Sequence, residues 1–174
     1  AEWRRAGFAE RGAALRRAST ALLERKQPLA ELMAVEMGKP VAQGRAEIEK
    51  CAWVCAYFAE SAERFLAPER IKSDASESFV TFEPLGLILA VMPWNFPFWQ
   101  VFRFAAAALM AGNGGVLKHA SNVSGCALAI GAVFHEAGFP DDLFAVLLLR
   151  SEAVGRVIES PEIKAVTLTG SAEA

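Results

Sequence analysis

The sequence predicts an α/β protein in which N-terminal helices precede an open, mostly parallel β-sheet. Two observations predict this fold class. Apolar residues recur at helical spacing through the first 66 residues. From residue 86 onward, short apolar strands alternate with helical stretches. This alternation is typical of right-handed β-α-β units, with helices on both faces of the sheet.

Residues 1–67 are predicted to form the helical part. The first helix has apolar residues at sevenfold spacing, namely Phe8, Leu15 and Leu22. Pro28 suits the first turn of a second helix, and Gly-Lys-Pro at 38–40 is a stop signal. A third helix is predicted from about Val41 to Phe65. Its apolar stripe consists of Ile48, Ala52, Cys55 and Phe58.

Residues 68–85 form a separate β segment in this prediction. Pro68 ends the helical part, and the stretch from Ser78 to Glu83 is rich in side chains that favour strands. We expect this stretch to form an edge strand or an intersubunit strand.

Residues 86–174 carry the predicted sheet. Its strands are residues 86–92, 116–118, 144–149 and 165–169. Helices are predicted between them, over residues 98–110, 124–137 and 151–160. Ser151 is expected to cap the last of these helices, and Gly114-Gly115 is expected to loosen the second strand.

The composition limits the classes of partner. The chain has 174 residues, of which 53% are hydrophobic and 22% charged, as in a globular domain with a core. The formal net charge is -2 and the basic residues are scattered, so we expect no nucleic-acid partner. We also expect no membrane partner, because the apolar runs are shorter than a membrane span.

The cysteines do not suggest a metal site. The sequence has three of them, and Cys51 and Cys55 lie four apart on one side of a predicted helix. A metal would need further ligands, and His119 and His135 are each isolated in the sequence. We interpret the thiols as buried and reduced, as in a cytoplasmic protein.

Ligands of open parallel sheets bind at the carboxyl ends of the strands, so residues that follow each strand are the candidates for chemistry. After the first strand, Pro93 and Pro97 fix the backbone around Trp94 and Asn95. A rigidly held amide such as that of Asn95 can donate a hydrogen bond to a developing oxyanion. The alternative is a turn whose asparagine bonds its own backbone.

Two further strand ends carry candidates. Lys118 follows the second strand and can bind ribose hydroxyls or a phosphate, although a lysine there can also simply face solvent. Gly170 and Ser171 follow the fourth strand, where a glycine and free N–H groups suit a phosphate. The alternative for this pair is an ordinary helix N-cap.

Several motifs in this order resemble the aldehyde dehydrogenase superfamily, over essentially the whole chain. The motifs are Glu83-Pro84-Leu85-Gly86, Met92-Pro93-Trp94-Asn95-Phe96-Pro97, Ala111-Gly112-Asn113, Leu117-Lys118, Ala137-Gly138-Phe139-Pro140 and Leu168-Thr169-Gly170-Ser171. Residues 94–100 together with 118–120 are most similar to bacterial succinate-semialdehyde dehydrogenases.

The resemblance implies the N-terminal portion of an NAD(P)-dependent enzyme. In this family a cysteine thiolate attacks a small-molecule aldehyde, the nicotinamide of NAD or NADP takes the hydride, and a glutamate-activated water releases the acid. The resemblance implies a Rossmann-like but incomplete cofactor domain for residues 86–174. It also implies that residues 68–85 belong to the oligomerisation element of a homo-oligomer.

The resemblance assigns roles to the strand-end residues. Asn95 matches the asparagine that stabilises the oxyanion. The residues matching cofactor-binding positions are Met92, Pro93 and Trp94 along the adenosine ribose, Lys118 on the ribose, and Gly170 and Ser171 beside the pyrophosphate.

Two positions depart from the family pattern. Many NAD-preferring members have a glutamate where this chain has Ser121, and its loss removes a repulsion against the 2′-phosphate of NADP. Arg150 stands where relatives often have small residues. It either pairs with a phosphate or faces solvent, and the sequence favours solvent.

Neither the nucleophilic cysteine nor the catalytic glutamate has a match in this chain. We therefore expect the 174 residues alone to be inactive, and to associate through an exposed sheet edge. Two alternatives stay open. One is a non-catalytic nucleotide-binding or assembly module derived from the fold, and the other is a CoA-acylating relative.

Overall fold

A computed structural model of the protein describes residues 2–171. Three helices lead the chain: α1 (Phe8–Glu24), α2 (Lys26–Met37) and α3 (Val41–Phe65). They confirm the predicted helical part, including the bounds of α3. Gly38 ends α2 with a φ of 74°, a left-handed conformation that glycine adopts at little cost.

The predicted apolar stripes of α1 and α3 face the same core. Leu15 and Leu22 of α1 and Ile48 of α3 are fully buried, because residues three, four and seven apart lie on one side of a helix. Phe8 and Phe58, at the ends of the stripes, are partly buried against this core. In the described chain, no helix is long and apolar enough to cross a membrane.

A short antiparallel ribbon follows the helices. It pairs β1 (Glu69–Arg70) with β2 (Phe79–Val80). Of the predicted strand from Ser78 to Glu83, only Phe79 and Val80 find a partner strand within residues 2–171, and the intersubunit strand stays a prediction. Both side chains are exposed, as is the neighbouring Phe82.

The main sheet has four strands, β3 (Leu87–Met92), β4 (Gly114–His119), β5 (Phe144–Val146) and β6 (Ile163–Leu168). Their order is β5-β4-β3-β6, and all three pairings are parallel. The predicted α/β fold class is therefore confirmed. The chain runs outward from β3 to β5 and then returns to the other side of β3, so the direction of winding reverses between β3 and β6.

Three helices connect these strands: α4 (Trp99–Met110), α5 (Ser124–Glu136) and α6 (Val154–Ile158). Right-handed connections place α4 and α5 on one face and, after the reversal, α6 on the other. On the first face, Phe102 of α4 stacks on Phe134 of α5 at a centroid distance of 5.1 Å. That layer joins the sheet to the core of the N-terminal helices.

The second strand is longer than predicted, and the expectation that glycines loosen it was wrong. Gly114 and Gly115 belong to β4 and pair with Leu87 and Ile88 of β3. A Cβ on Gly115 would lie 2.8 Å from the ring of Phe144, so the glycine allows a closer contact than any side chain permits.

The segment after Phe144 is less regular than predicted. Strand β5 ends at Val146, not Leu149, and Ala145 is exposed, so it is not buried on both faces. Within residues 2–171, β5 pairs with β4 alone. Ser151 begins a 3₁₀ turn and its side chain makes no cap hydrogen bond, which corrects the predicted N-cap.

Candidate functional site

A cavity of about 320 Å³ opens at the reversal, between the carboxyl ends of β3 and β6. Its lining residues are Pro93, Trp94, Asn95, Gln100, Thr169, Gly170 and Ser171. Reversal points of this kind are where open α/β sheets bind ligands. We call this cavity the β3/β6 crevice. It brings together two of the three predicted strand ends.

A buried ion pair holds the backbone of the 93–97 loop, which carries Asn95. Lys39 and Glu47 are only 7% and 5% exposed, and Lys39 Nζ donates a hydrogen bond to Glu47 Oε2. Lys39 Nζ also donates to the backbone oxygen of Asn95 at 2.8 Å. Glu47 Oε1 accepts the backbone N–H groups of Phe98 and Trp99, each at 2.9 Å.

This Lys39–Glu47 clamp fixes the loop from both ends, because one charge holds Asn95 and the other holds the start of α4. Lys39 Nζ also lies 4.1 Å from the ring centroid of Phe96. The clamp was not predicted from the sequence, because Gly-Lys-Pro at 38–40 was interpreted only as a helix stop. The available signal was Glu47, an acid beside Ile48 on the apolar side of α3, because a buried carboxylate needs a partner.

The side-chain amide of Asn95 is left available by this arrangement. Within residues 2–171, it makes no hydrogen bond to its own backbone or to any other group, and the residue is exposed. This argues against the alternative of a turn in which the asparagine bonds its own backbone. A rigid backbone with an uncommitted amide can donate a hydrogen bond to a developing negative charge.

His119 joins the end of β4 to the same loop. One ring nitrogen, Nε2, lies 2.9 Å from the backbone oxygen of Pro97, and the other, Nδ1, accepts the N–H of Ala120 at 2.9 Å. Nε2 therefore carries the proton and donates it to Pro97. Burial lowers the pKa of His119, so the ring is neutral at pH 7. This role of His119 was not predicted, because the residue is isolated in the sequence.

Lys118 and Ser121 do not line the β3/β6 crevice. Lys118 is 9% exposed and lies opposite Val91 of β3, so its side chain leaves the sheet on the face opposite to His119. Ser121 lines a second cavity, of about 180 Å³, at the carboxyl ends of β4 and β5. We call it the β4/β5 cavity. Its lining residues are His119, Ala120, Ser121, Ser124, Leu148, Leu149 and Arg150.

Met92 points to a third cavity. This one has about 450 Å³ and lies on the α4 face of the sheet, where Arg103 is its charged lining residue. The predicted positions thus lie at the carboxyl edge of the sheet, but they are divided among three neighbouring cavities, and Lys118 lines none of these three.

The turn after β6 continues the sheet for one more residue. The N–H of Thr169 donates to the oxygen of Val91 at 3.0 Å, which seats Gly170 and Ser171 beside the end of β3. The helix that Ser171 would cap lies outside the described residues, so the N-cap alternative stays a prediction.

None of the three thiols is suited to attack a substrate. Cys51, Cys55 and Cys126 are fully buried, as predicted, and each is a free thiol in this structure. Burial raises the pKa of the Cys55 thiol, and burial together with a hydrogen bond to Glu36 raises the pKa of Cys126. In the part of the chain that the structure describes, no group of three metal-ligating side chains comes together.

The chain matches known proteins of one family in both its sequence and its fold. The family model described as "Aldehyde dehydrogenase family" matches residues 1–174. The chain is 56% identical over 164 residues, or 94% of its length, to a probable succinate-semialdehyde dehydrogenase [NADP(+)] of Synechocystis sp.. It is 50% identical over 98% of its length to succinate-semialdehyde dehydrogenase [NADP(+)] 1 of Mycobacterium bovis. The chain spans 36% and 38% of the lengths of these two relatives.

Solved structures agree with the sequence comparison. Succinic semialdehyde dehydrogenase from Streptococcus pyogenes, in complex with NADP+, superposes with a TM-score of 0.91 at 31% identity, covering 95% of this chain and 36% of that one. An aldehyde dehydrogenase from Brucella melitensis superposes with a TM-score of 0.94 at 28% identity, covering 99% and 36%.

Proposed function

Because the chain belongs to the aldehyde dehydrogenase family, we propose that the whole protein oxidises succinate semialdehyde to its carboxylic acid, with NADP as the hydride acceptor. The observation that carries this proposal is the β3/β6 crevice, in which the uncommitted amide of Asn95 lies near Gly170 and Ser171. The relatives named above support the choice of aldehyde and cofactor.

The residues present suit a nicotinamide dinucleotide. Gly170 and Ser171, whose backbone N–H groups make no hydrogen bond within residues 2–171, suit a pyrophosphate. Pro93 and Trp94 form a wall of the crevice, and Trp94 is 50% exposed there. A nicotinamide bound there would supply the hydride acceptor for the oxidation. Lys118 would bind a ribose hydroxyl from the neighbouring strand end.

Asn95 would act on the substrate oxygen. Its amide would donate a hydrogen bond to the oxygen as negative charge develops there, and the Lys39–Glu47 clamp holds the backbone from which this side chain extends. The attacking thiolate has to come from outside these 174 residues, because Cys51, Cys55 and Cys126 are buried. We therefore propose that this chain binds the cofactor but does not catalyse oxidation of the aldehyde.

The cavity on the α4 face supports an acidic aldehyde. It is lined by apolar side chains, by Thr167 and by Arg103, an exposed guanidinium that lies one helical turn after Gln100 of the crevice. A substrate whose aldehyde reaches Asn95 can place a carboxylate towards this cation. Arg103 is a better match for a semialdehyde acid than for a purely apolar aldehyde.

The experiment is steady-state oxidation of succinate semialdehyde by the complete protein and by its Asn95→Ala variant. Removing one oxyanion donor is expected to lower kcat about 10²- to 10³-fold, with an unchanged Kd for NADP. Asn113→Ala, at the opposite edge of the sheet, should leave kcat within a few-fold because Asn113 bonds Gly86 far from the crevice. No NADPH formation by the complete protein, or full kcat in Asn95→Ala, contradicts the proposal.

Two alternatives separate in the same assay. A non-catalytic module derived from the fold binds NADP with the complete protein inactive towards every aldehyde. A CoA-acylating relative releases an acyl-CoA and needs CoA for turnover, whereas we expect a free acid without CoA.

We also propose that the whole protein is a cytoplasmic homo-oligomer. The free thiols suit a reducing compartment. The exposed apolar side chains of the ribbon, Ile71, Phe79, Val80 and Phe82, suit burial against a second copy. Light scattering should show association of the 174-residue chain, and a monodisperse monomer would contradict this expectation.

A further inference from the structure

We propose that Lys50 of α3 is a second cation for the acidic aldehyde, whose carboxylate it attracts to the mouth of the site before the carboxylate reaches Arg103. This inference rests on the proposed function and adds a residue that favours acidic over neutral aldehydes. It concerns the capture of the substrate, and it assigns Lys50 no part in the chemical step.

Lys50 lies beside the start of α4. Glu47, one helical turn earlier on α3, accepts the N–H groups of Phe98 and Trp99, so this side of α3 faces the start of α4. The Nζ atom of Lys50 lies 3.9 Å from the ring centroid of Trp99. Because α4 begins just after the 93–97 loop, Lys50 is at the carboxyl edge of the sheet, where the β3/β6 crevice also lies.

Trp99 connects Lys50 to the two cavities of the proposed substrate site. It directly precedes Gln100 of the β3/β6 crevice, and it lies one helical turn before Arg103 of the cavity on the α4 face. Side chains four apart on a helix are neighbours, so Lys50 and Arg103 are both close to the Trp99 ring. The Debye length is about 10 Å at 0.1 M salt. An anion that approaches Arg103 is therefore within the range of the charge on Lys50.

The charge of Lys50 is not neutralised by a neighbouring acid. Lys50 is exposed and forms neither an ion pair nor a side-chain hydrogen bond within the described residues. The two acids near it on α3 have other partners, since Glu47 is paired with Lys39, and Glu49 with Lys26. The cation–π contact with the indole ring localises the ammonium without cancelling its charge.

The segment that forms the surrounding edge of the sheet offers no acid to compete for these cations. The sequence contains no aspartate or glutamate between Glu83 and Glu136, and this segment holds β3, α4, β4 and α5 up to its last residue. Its formally charged residues, with histidine neutral, are Arg103 and Lys118. A local excess of positive charge in a chain of net charge -2 attracts anions to this edge.

Lys50 and Arg103 have different roles in this proposal. Arg103 lines the cavity, and its planar guanidinium can hold a carboxylate through two parallel hydrogen bonds. Lys50 is a hydrated point charge outside the cavity, which acts on the approaching anion over a distance. Loss of Lys50 should therefore lower kcat/KM and leave kcat unchanged. The loss should also shrink when salt screens the charge.

The test is steady-state oxidation of succinate semialdehyde and of butanal, a neutral aldehyde of the same chain length, by the complete protein. The variants are Lys50→Met, which keeps an apolar stem against Trp99, and Lys50→Arg, which keeps the charge. The matched control is Lys164→Met, which removes an exposed lysine near the amino end of β6. Each protein is assayed at about 0.01 M and about 1 M salt, where the Debye length is about 30 Å and about 3 Å.

We expect Lys50→Met to lower kcat/KM for succinate semialdehyde about 3- to 10-fold at low salt, with kcat unchanged. The loss should fall below about 2-fold at high salt. For butanal, kcat/KM should not change. Lys50→Arg should retain the wild-type kcat/KM, and Lys164→Met should change the value for neither aldehyde.

The outcomes distinguish this inference from the proposed function. If wild type oxidises succinate semialdehyde and Lys50→Met keeps its kcat/KM at low salt, the role of Lys50 is wrong and the proposed function stands. An equal loss for both aldehydes, or a loss that persists at high salt, likewise overturns the role, because it indicates a structural effect. If wild type does not oxidise succinate semialdehyde, both the proposed function and this inference are wrong.

Discussion

Replacing Lys39 by methionine tests the clamp beneath the Asn95 loop. Methionine keeps the bulk of the stem but removes the ammonium that bonds Glu47 and the oxygen of Asn95. Glu47 would then be a carboxylate that is 5% exposed and has lost its counter-charge. Breaking a buried ion pair in this way costs about 3–5 kcal/mol. That is a large fraction of the roughly 5–15 kcal/mol that stabilises a domain.

The assay is urea unfolding followed by circular dichroism, on wild type, Lys39→Met, Glu47→Gln and the double variant. A glutamine at 47 can still accept the N–H groups of Phe98 and Trp99 but carries no charge. The double variant should therefore lose less stability than the sum of the two single variants, since no unpaired charge remains.

The matched control is Lys26→Met, which breaks the exposed pair of Lys26 with Glu49. The two atoms lie 2.7 Å apart, but the side chains are 34% and 54% exposed. Exposed pairs contribute about 0–1 kcal/mol. If Lys39→Met costs no more than Lys26→Met, or if the two clamp substitutions are additive, the account of the clamp is refuted.

Two other predictions concern stability. Gly115→Ala should destabilise the chain by about 1–3 kcal/mol, because the new Cβ would lie 2.8 Å from the ring of Phe144. Gly155→Ala in α6 should stabilise the chain by up to about 1 kcal/mol, because its Cβ would meet nothing within 4 Å. Urea unfolding measures both changes. The raised pKa values of Cys55 and Cys126 mean that the unfolded chain releases thiol protons above the ordinary pKa of 9.0 while the folded chain retains them. Stability should therefore be constant below about pH 8 and fall above pH 9, by up to about 1.4 kcal/mol per pH unit for each thiol. A flat profile in unfolding measurements from pH 7 to pH 10.5 would contradict the burial of the thiols.

The sequence alone predicted the helices and strands that are determined by local patterns of apolar and helix-breaking residues. The bounds of α3 follow from a stop at 38–40, a long apolar stripe and Pro68. The strand β3 follows from a continuous apolar run, because a strand buried on both faces has no polar positions. The parallel order of the sheet follows from the alternation of strands and helices.

Features that depend on distant partners were not predictable in this way. The extension of β4 over Gly115 places this residue against the ring of Phe144, which lies 29 residues along the chain. The clamp joins Lys39 to Asn95 across 56 residues. The Asn95 loop and Gly170-Ser171 were expected at one edge and lie there, but the separation of Ser121 and Arg150 into a second cavity depends on the loop after β5.

The measurement that tests the central claim most directly is an NMR titration of the isotope-labelled 174-residue chain with NADP. Cofactor binding in the β3/β6 crevice predicts shifts of the Asn95 side-chain amide and of the Gly170 amide, both at the carboxyl edge of the sheet. The amides of Gly86 and Gly112, at the opposite edge, should not move. Shifts confined to that opposite edge, or no shifts at saturating NADP, would contradict the account.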